Sequence, residues 1–216
     1  LTFITLGIGI GMTASIARGL GEGDTQTVRS MTTDGLLLGL AVVVVIALVG
    51  LATMRPLFSA LGAEGEVLEL VAEYMTPWYI GVGMLVIPIL GNGAIRATGD
   101  TKTPSIVMVV AGLVNAGLDP VLIFGLGPFP ELGLRGAAYA TLGSYAGALV
   151  VALYILIFRE RMMCFRARSL ADRIANWRRI LRIGMPAAGT NLLTPVGAAL
   201  LTRMAAEYGP ETVAAF

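Results

Sequence analysis

VVAGLVNAGLDPVLIFG, Val109 to Gly125, is apolar enough to cross a membrane, yet it carries Asn115 and Asp119 one helical turn apart. As a helix, the segment puts both side chains on one face, so the amide of Asn115 can reach the carboxylate. An ionised carboxylate this deep in a span costs on the order of 3 kcal/mol, so Asp119 must face protein or water rather than lipid. Pro120 follows and has no N–H, which leaves the carbonyl of Ala116 without its usual intrahelical donor. Two polar side chains and a loose carbonyl suit a proton or a small hard cation, which takes oxygen ligands. The alternative on spacing alone is a polar clamp between packed helices.

The rest of the chain has the same character. Of 216 residues, 56% are hydrophobic and 13% charged, and the mean hydropathy is +0.81, outside the range of soluble domains. Cut at its charges, the sequence yields uncharged runs Leu1 to Ala17, Gly35 to Met54, Tyr74 to Ile95, Gly136 to Phe158 and Ile183 to Thr202. A sixth, Thr103 to Pro130, is broken only by Asp119. Each approaches the roughly 20 residues that cross the hydrocarbon as a helix, and a helix satisfies its own backbone in lipid. The expected fold is an all-α polytopic membrane protein with six transmembrane helices in this chain. The chain opens at Leu1 inside an apolar run and stops at VAAF, which reads as a piece of a longer protein. A single cysteine, Cys164, excludes an internal disulfide, and the absence of histidine removes the commonest general base and metal ligand. No serine is clearly paired with a base, so the parts of an intramembrane enzyme are missing and none is expected.

The basic residues orient the spans. Twelve of the fifteen fall on one side: Arg18 and Arg29, Arg96 and Lys102, and the eight arginines from Arg159 to Arg182. Arg55, Arg135 and Arg203 fall on the other, beside Glu64, Glu66, Glu69, Glu73 and Glu131. Positive charge marks the cytoplasmic side, so 18–29, 96–102 and 159–182 are expected in the cytoplasm of a protein of the cell inner (plasma) membrane. The connection RERMMCFRARSLADRIANWRRILRIGMP, Arg159 to Pro186, spaces Leu170, Ile174, Trp177 and Leu181 helically among its arginines. It reads as an amphipathic helix on the inner surface, with Trp177 at the headgroups and anionic lipid as the partner of its charge. No nucleic-acid partner is needed to explain it.

Gly7, Gly9 and Gly11 on the first span, with Gly81 and Gly83 on the third, read as close helix packing. Pro77, Pro88, Pro120, Pro186 and Pro195 interrupt spans and predict bends. RATGDTKTP, Arg96 to Pro104, reads as a tight turn, and Asp34 as a helix N-terminal charge near water.

RATGDTKTP followed by NAGLDPVLIFG and LGLRGAAYAT, Leu132 to Thr141, resembles the multidrug and toxic compound extrusion (MATE) family of secondary transporters. ARGLGEGD, Ala17 to Asp24, is similar to that family's turn after its second helix, and RIGMPAAG, Arg182 to Gly189, to the entry of its seventh. The order and spacing cover essentially the whole chain. The resemblance implies a twelve-helix, two-lobe transporter. Residues 1–158 would hold the N-terminal lobe from the end of helix two to helix six, 159–182 the cytoplasmic inter-lobe linker, and 183–216 helix seven and the start of helix eight. It also implies an antiporter that exports amphipathic, often cationic, drugs or metabolites in exchange for H⁺ or Na⁺, functioning as a monomer at full length without a cofactor. In one prokaryotic branch of the family a cation site maps onto Asn115, Asp119 and Thr141, with Na⁺ as its metal. Asn92, in LGNGAIR, matches an asparagine facing the same cavity and is assigned to the substrate cavity. That branch's helix-one aspartate has no counterpart in this chain. Helix seven here has no acid, unlike the branches that place a glutamate there. Met84 and Met108 add adaptable apolar wall. The alternative is a lipid or lipid-linked precursor flippase, which a cavity lined by several basic residues would favour.

Overall fold

A computed structural model describes the backbone of residues 2–60, 65–127, 130–165 and 169–206, with side chains except those of residues 2, 66, 134, 192 and 194–206. Glu64, Arg166, Arg168, the side chains of Glu66 and Arg203, and the expected start of a further helix after residue 206 lie outside the described residues.

Every apolar run forms a helix. The order is α1 (Thr2–Gly21), α2 (Thr25–Ala60), α3 (Gly65–Gly81), α4 (Gly83–Ala97), α5 (Lys102–Phe124), α6 (Gly133–Tyr154) with a π-helical turn at Ile155–Arg159, and α7 (Leu170–Ala206). Among the described residues, α1, α2, α5 and α6 with its π turn are each long and apolar enough to span a membrane. The pair α3–α4 forms a fifth span bent by 48°. That bend falls at Gly81–Gly83, between Pro77 and Pro88, where missing N–H donors and missing side chains both weaken the helix. The run from Ile183 makes up the second half of α7.

The core centres on α1 and α4. Met12 and Ile16 of α1, Met31 of α2, Leu90 of α4, Leu156 of the π turn and Ile180 of α7 are completely buried. Gly7 and Gly11 of α1 face α7: a β-carbon on Gly11 would lie 2.2 Å from the Ile180 carbonyl oxygen, and one on Gly7 2.5 Å from that of Gly184. Backbones meet there because no side chain stands between them. On the far side α5 packs on α6 in the same way, where a β-carbon on Gly136 would meet the Leu122 carbonyl at 2.3 Å. The remainder of α5 is largely open, with only Pro104 and Val107 buried along it.

Two expectations for the long connection are corrected. The amphipathic segment is not a separate helix: from Leu170 it runs unbroken into the apolar run that begins at Ile183. No helix breaker precedes Gly184, and Ile180 and Gly184 are held against α1 on the way. Nor is the Trp177 indole N–H free for headgroups, since it donates to the main-chain carbonyl of Asp34 at 2.8 Å.

The turns α1–α2 and α4–α5 are copies of one device, Gly-Asp-Thr-x-Thr, at Gly23–Thr27 and Gly99–Thr103. The glycines take φ of 72° and 92°, a left-handed conformation that reverses the chain. The aspartates then accept the N–H of Thr27 (2.9 Å) and of Thr103 (3.0 Å), as helix-capping residues do. Arg159 ties the second turn to the end of the π turn, donating to Asp100 Oδ2 (2.9 Å) and Thr103 Oγ1 (2.8 Å). The hydroxyl and then the N–H of Thr103 hold the Asp100 carboxyl below the ordinary aspartate range, and Thr27 does the same for Asp24. A carboxyl whose folded pKa is lowered stabilises the fold above its unfolded value, about 3.9, and loses that contribution as pH falls through the folded value. Thr103→Val is therefore expected to move the acid limb of unfolding to higher pH in the full-length protein, as followed by circular dichroism. An unchanged acid limb would refute the assignment.

Candidate functional site

Asn115 and Asp119 lie on one face of α5, both half-buried, with Asn115 Nδ2 donating to Asp119 Oδ1 at 3.5 Å. That is a long contact, weak by the usual geometry of hydrogen bonds. The carboxylate oxygens therefore keep lone pairs to spare. The helix continues through Pro120 to Phe124, so the Ala116 carbonyl on the adjoining turn has no intrahelical donor. Asp119 makes no ion pair, and no donor from another helix reaches it, among the described residues.

Thr141 stands on α6, half-buried. A β-carbon on nearby Gly143 would lie 3.6 Å from Leu118 Cδ1, which puts Thr141 and Asp119 at a similar level on packed helices. The Thr141 hydroxyl donates to the Ala137 carbonyl at 3.0 Å, and no hydrogen bond joins it to Asp119. The four expected residues thus divide, with Asn115 and Asp119 in contact on α5, Thr141 on the adjoining α6, and Asn92 on α4 without a hydrogen bond to any of them.

Asn92 is placed differently from the expectation. On α4 it is 2% exposed, and neither its amide nitrogen nor its oxygen has a hydrogen-bond partner among the described residues. It is enclosed among helices rather than lining open space. The flanking glycines explain the enclosure, since Gly91 lets Leu156 approach and Gly93 lets Thr13 approach. Met84 and Met108 are exposed at 44% and 41%. Met84 lines a groove of about 580 Å³ between the bent pair α3–α4 and α6, with Ile80, Tyr139 and Leu142.

A second polar cluster was missed. Asp34 is not a water-facing helix start but sits inside α2 at 2% exposure, because α2 begins nearly three turns earlier at the Asp24 cap. Asn176 Nδ2 donates to its Oδ2 at 2.6 Å, and Arg173 Nε stands 4.0 Å from its Oδ1. Beside it, Thr33 Oγ1 accepts the N–H of Cys164 at 2.8 Å. Residues 33–34 therefore fasten both the connection after α6 and the start of α7. The only sequence signal was a carboxylate spaced helically with Met31 and Leu38, a pattern shared by many solvent-facing acids.

Comparison with known proteins places these features. The MatE family model matches residues 1–121. A Shewanella oneidensis protein named FAD transporter is 38% identical over 216 residues, covering 100% of this chain and 48% of that protein. A Thermotoga maritima protein named probable multidrug resistance protein NorM is 30% identical, covering 98% of this chain and 45% of its own length. Among solved structures, the outward-facing conformation of a multidrug resistance MATE family transporter superimposes with a TM-score of 0.84 at 30% identity, over 97% of this chain and 46% of that one. The chain spans about half the length of the curated relatives it matches.

Proposed function

This chain belongs to the MatE family, and from that premise we propose that the protein containing it is a secondary antiporter of the cell inner membrane, with Asp119 as its ion-coupling carboxylate. The observation that carries the proposal is the state of Asp119, a carboxylate within a span with one loose amide partner and no cation among the described residues. Its free lone pairs can accept H⁺ or Na⁺, and Asn115 and the Ala116 carbonyl offer Na⁺ further oxygens. Thr141 would join the site by turning its hydroxyl away from Ala137. Asp119 is the one carboxylate of the set, and its single negative charge suits a monovalent ion better than a divalent one.

Coupling requires that the ion and the exported compound favour different arrangements of the helices, since a ligand shifts an equilibrium only by its differential affinity. The 48° bend in α3–α4 supplies a joint at which such arrangements can differ. Relatives named for multidrug resistance support amphipathic organic substrates. The relative named FAD transporter supports, as a second reading, an anionic aromatic metabolite. Positive charge concentrated at the two Gly-Asp-Thr-x-Thr turns and after α6 supports placing those turns in the cytoplasm.

The test is efflux from proteoliposomes containing the full-length protein, with a fluorescent organic cation and a flavin as substrates. An imposed proton or sodium gradient is expected to accelerate export of at least one of them severalfold. Equal rates with and without either gradient would refute antiport.

A further inference from the structure

A cavity of about 370 Å³ lies between α1 and α4, walled by Leu6, Ile10 and Ile89, with Thr13 and Arg96 as its polar residues. A β-carbon on Gly93 would sit 2.8 Å from Thr13 Oγ1 and 3.9 Å from Arg96 Nη2, so the hydroxyl and the guanidinium flank the same bare stretch of backbone. Helical side chains lean toward the helix N-terminus, which carries the Arg96 head back over Gly93 toward the middle of α4 rather than out past its end. Arg96 has no carboxylate partner and Thr13 no hydrogen bond among the described residues. Ser15, Thr32, Thr33, Thr141 and Ser144, by contrast, turn their hydroxyls onto carbonyls of their own helices.

We propose that this cavity is a binding site for a phosphate ester with an apolar or aromatic body, with Arg96 and Thr13 holding the phosphate and Leu6, Ile10 and Ile89 the body. A guanidinium presents paired donors in the geometry of phosphate oxygens, and Arg96, exposed at the rim of the cavity, is open to such a partner. The hydroxyl supplies a third donor from the opposite helix. Such a ligand is either a soluble ester or the headgroup of a lipid. The proposal rests on the reading of the protein as a transporter only for its physiological meaning; binding at the cavity is measured at equilibrium, without a gradient.

Riboflavin and its phosphate ester differ by the phosphate alone, and both fluoresce. With the full-length protein in phosphatidylcholine nanodiscs, the ester is expected to bind at least about tenfold more tightly than riboflavin, roughly one charge-assisted contact. Arg96→Gln should erase the difference, Arg96→Lys should keep part of it, and Thr13→Val should reduce it, while riboflavin binding and elution volume confirm that the variants are folded. Repeating the titration in phosphatidylglycerol nanodiscs separates the sources. An unchanged preference identifies a soluble ester as the ligand, and a preference abolished there identifies the lipid phosphate. Equal affinity of the wild type for the two flavins, or an Arg96→Gln protein that still prefers the ester, overturns the proposal. Loss of gradient-driven efflux with the preference intact would instead sink the antiport reading and leave the site standing.

Discussion

Asp119→Asn in the full-length protein is expected to abolish gradient-driven efflux while leaving substrate binding within about threefold of wild type. The substitution keeps the size of the side chain and its hydrogen bond with Asn115, but removes the one carboxylate of α5. An amide neither takes up a proton in the working pH range nor neutralises Na⁺, so the ion no longer distinguishes one helix arrangement from the other, and coupling vanishes with that difference. The loss should be on the order of a hundredfold or more in coupled rate, because population shifts scale exponentially with the lost differential affinity. Asn115→Ala is expected to be milder, since its 3.5 Å contact with the carboxylate is long. Efflux by Asp119→Asn at the wild-type rate would make the residue structural.

The second large effect is expected at Asp34. Asp34→Ala removes a buried carboxylate that accepts from Asn176 at 2.6 Å and lies 4.0 Å from Arg173. A hydrogen bond to a charged group contributes about 1.5–3 kcal/mol, and the alanine also strands the Asn176 amide. The Trp177 indole still donates to the Asp34 carbonyl, and the packing of Ile180 on Gly35 and the glycine contacts of α7 with α1 remain. The midpoint of thermal unfolding in detergent should fall by several degrees, and trypsin should cut the arginine-rich connection faster. Asp34→Asn retains an acceptor for Asn176 and should recover about half of the loss. Identical midpoints and cleavage rates for all three proteins would show that the cluster does not hold α7.

The two sites differ in how far the sequence revealed them. Asn115 and Asp119 are one turn apart on a single helix, so their contact follows from local geometry and the cost of charge in a span. The six apolar runs and the proline-flanked bend are likewise local, and each became a helix or a joint. Asp34 meets partners about 140 residues away on α7. Nothing near Asp34 in the chain distinguishes it from an acid in water. The enclosure of Asn92 arises in the same way, from glycines that admit Leu156 and Thr13, which belong to other elements. The continuity of α7 was obscured by composition, because the arginines that mark a surface segment lie on the same unbroken helix as the apolar run after them. The repeated Gly-Asp-Thr-x-Thr turn was legible throughout and becomes conspicuous once both copies are seen to cap helices.

If Asp119 is the coupling site, substrate binding must expel its ion. The direct measurement is proton release and radioactive sodium displacement when substrate is added to the full-length protein in weakly buffered detergent, with wild type and Asp119→Asn side by side. The account predicts that substrate releases about one proton or one sodium ion per wild-type molecule and none from Asp119→Asn, as reciprocal linkage requires. Equal release from both proteins would contradict it and place the exchanged ion elsewhere.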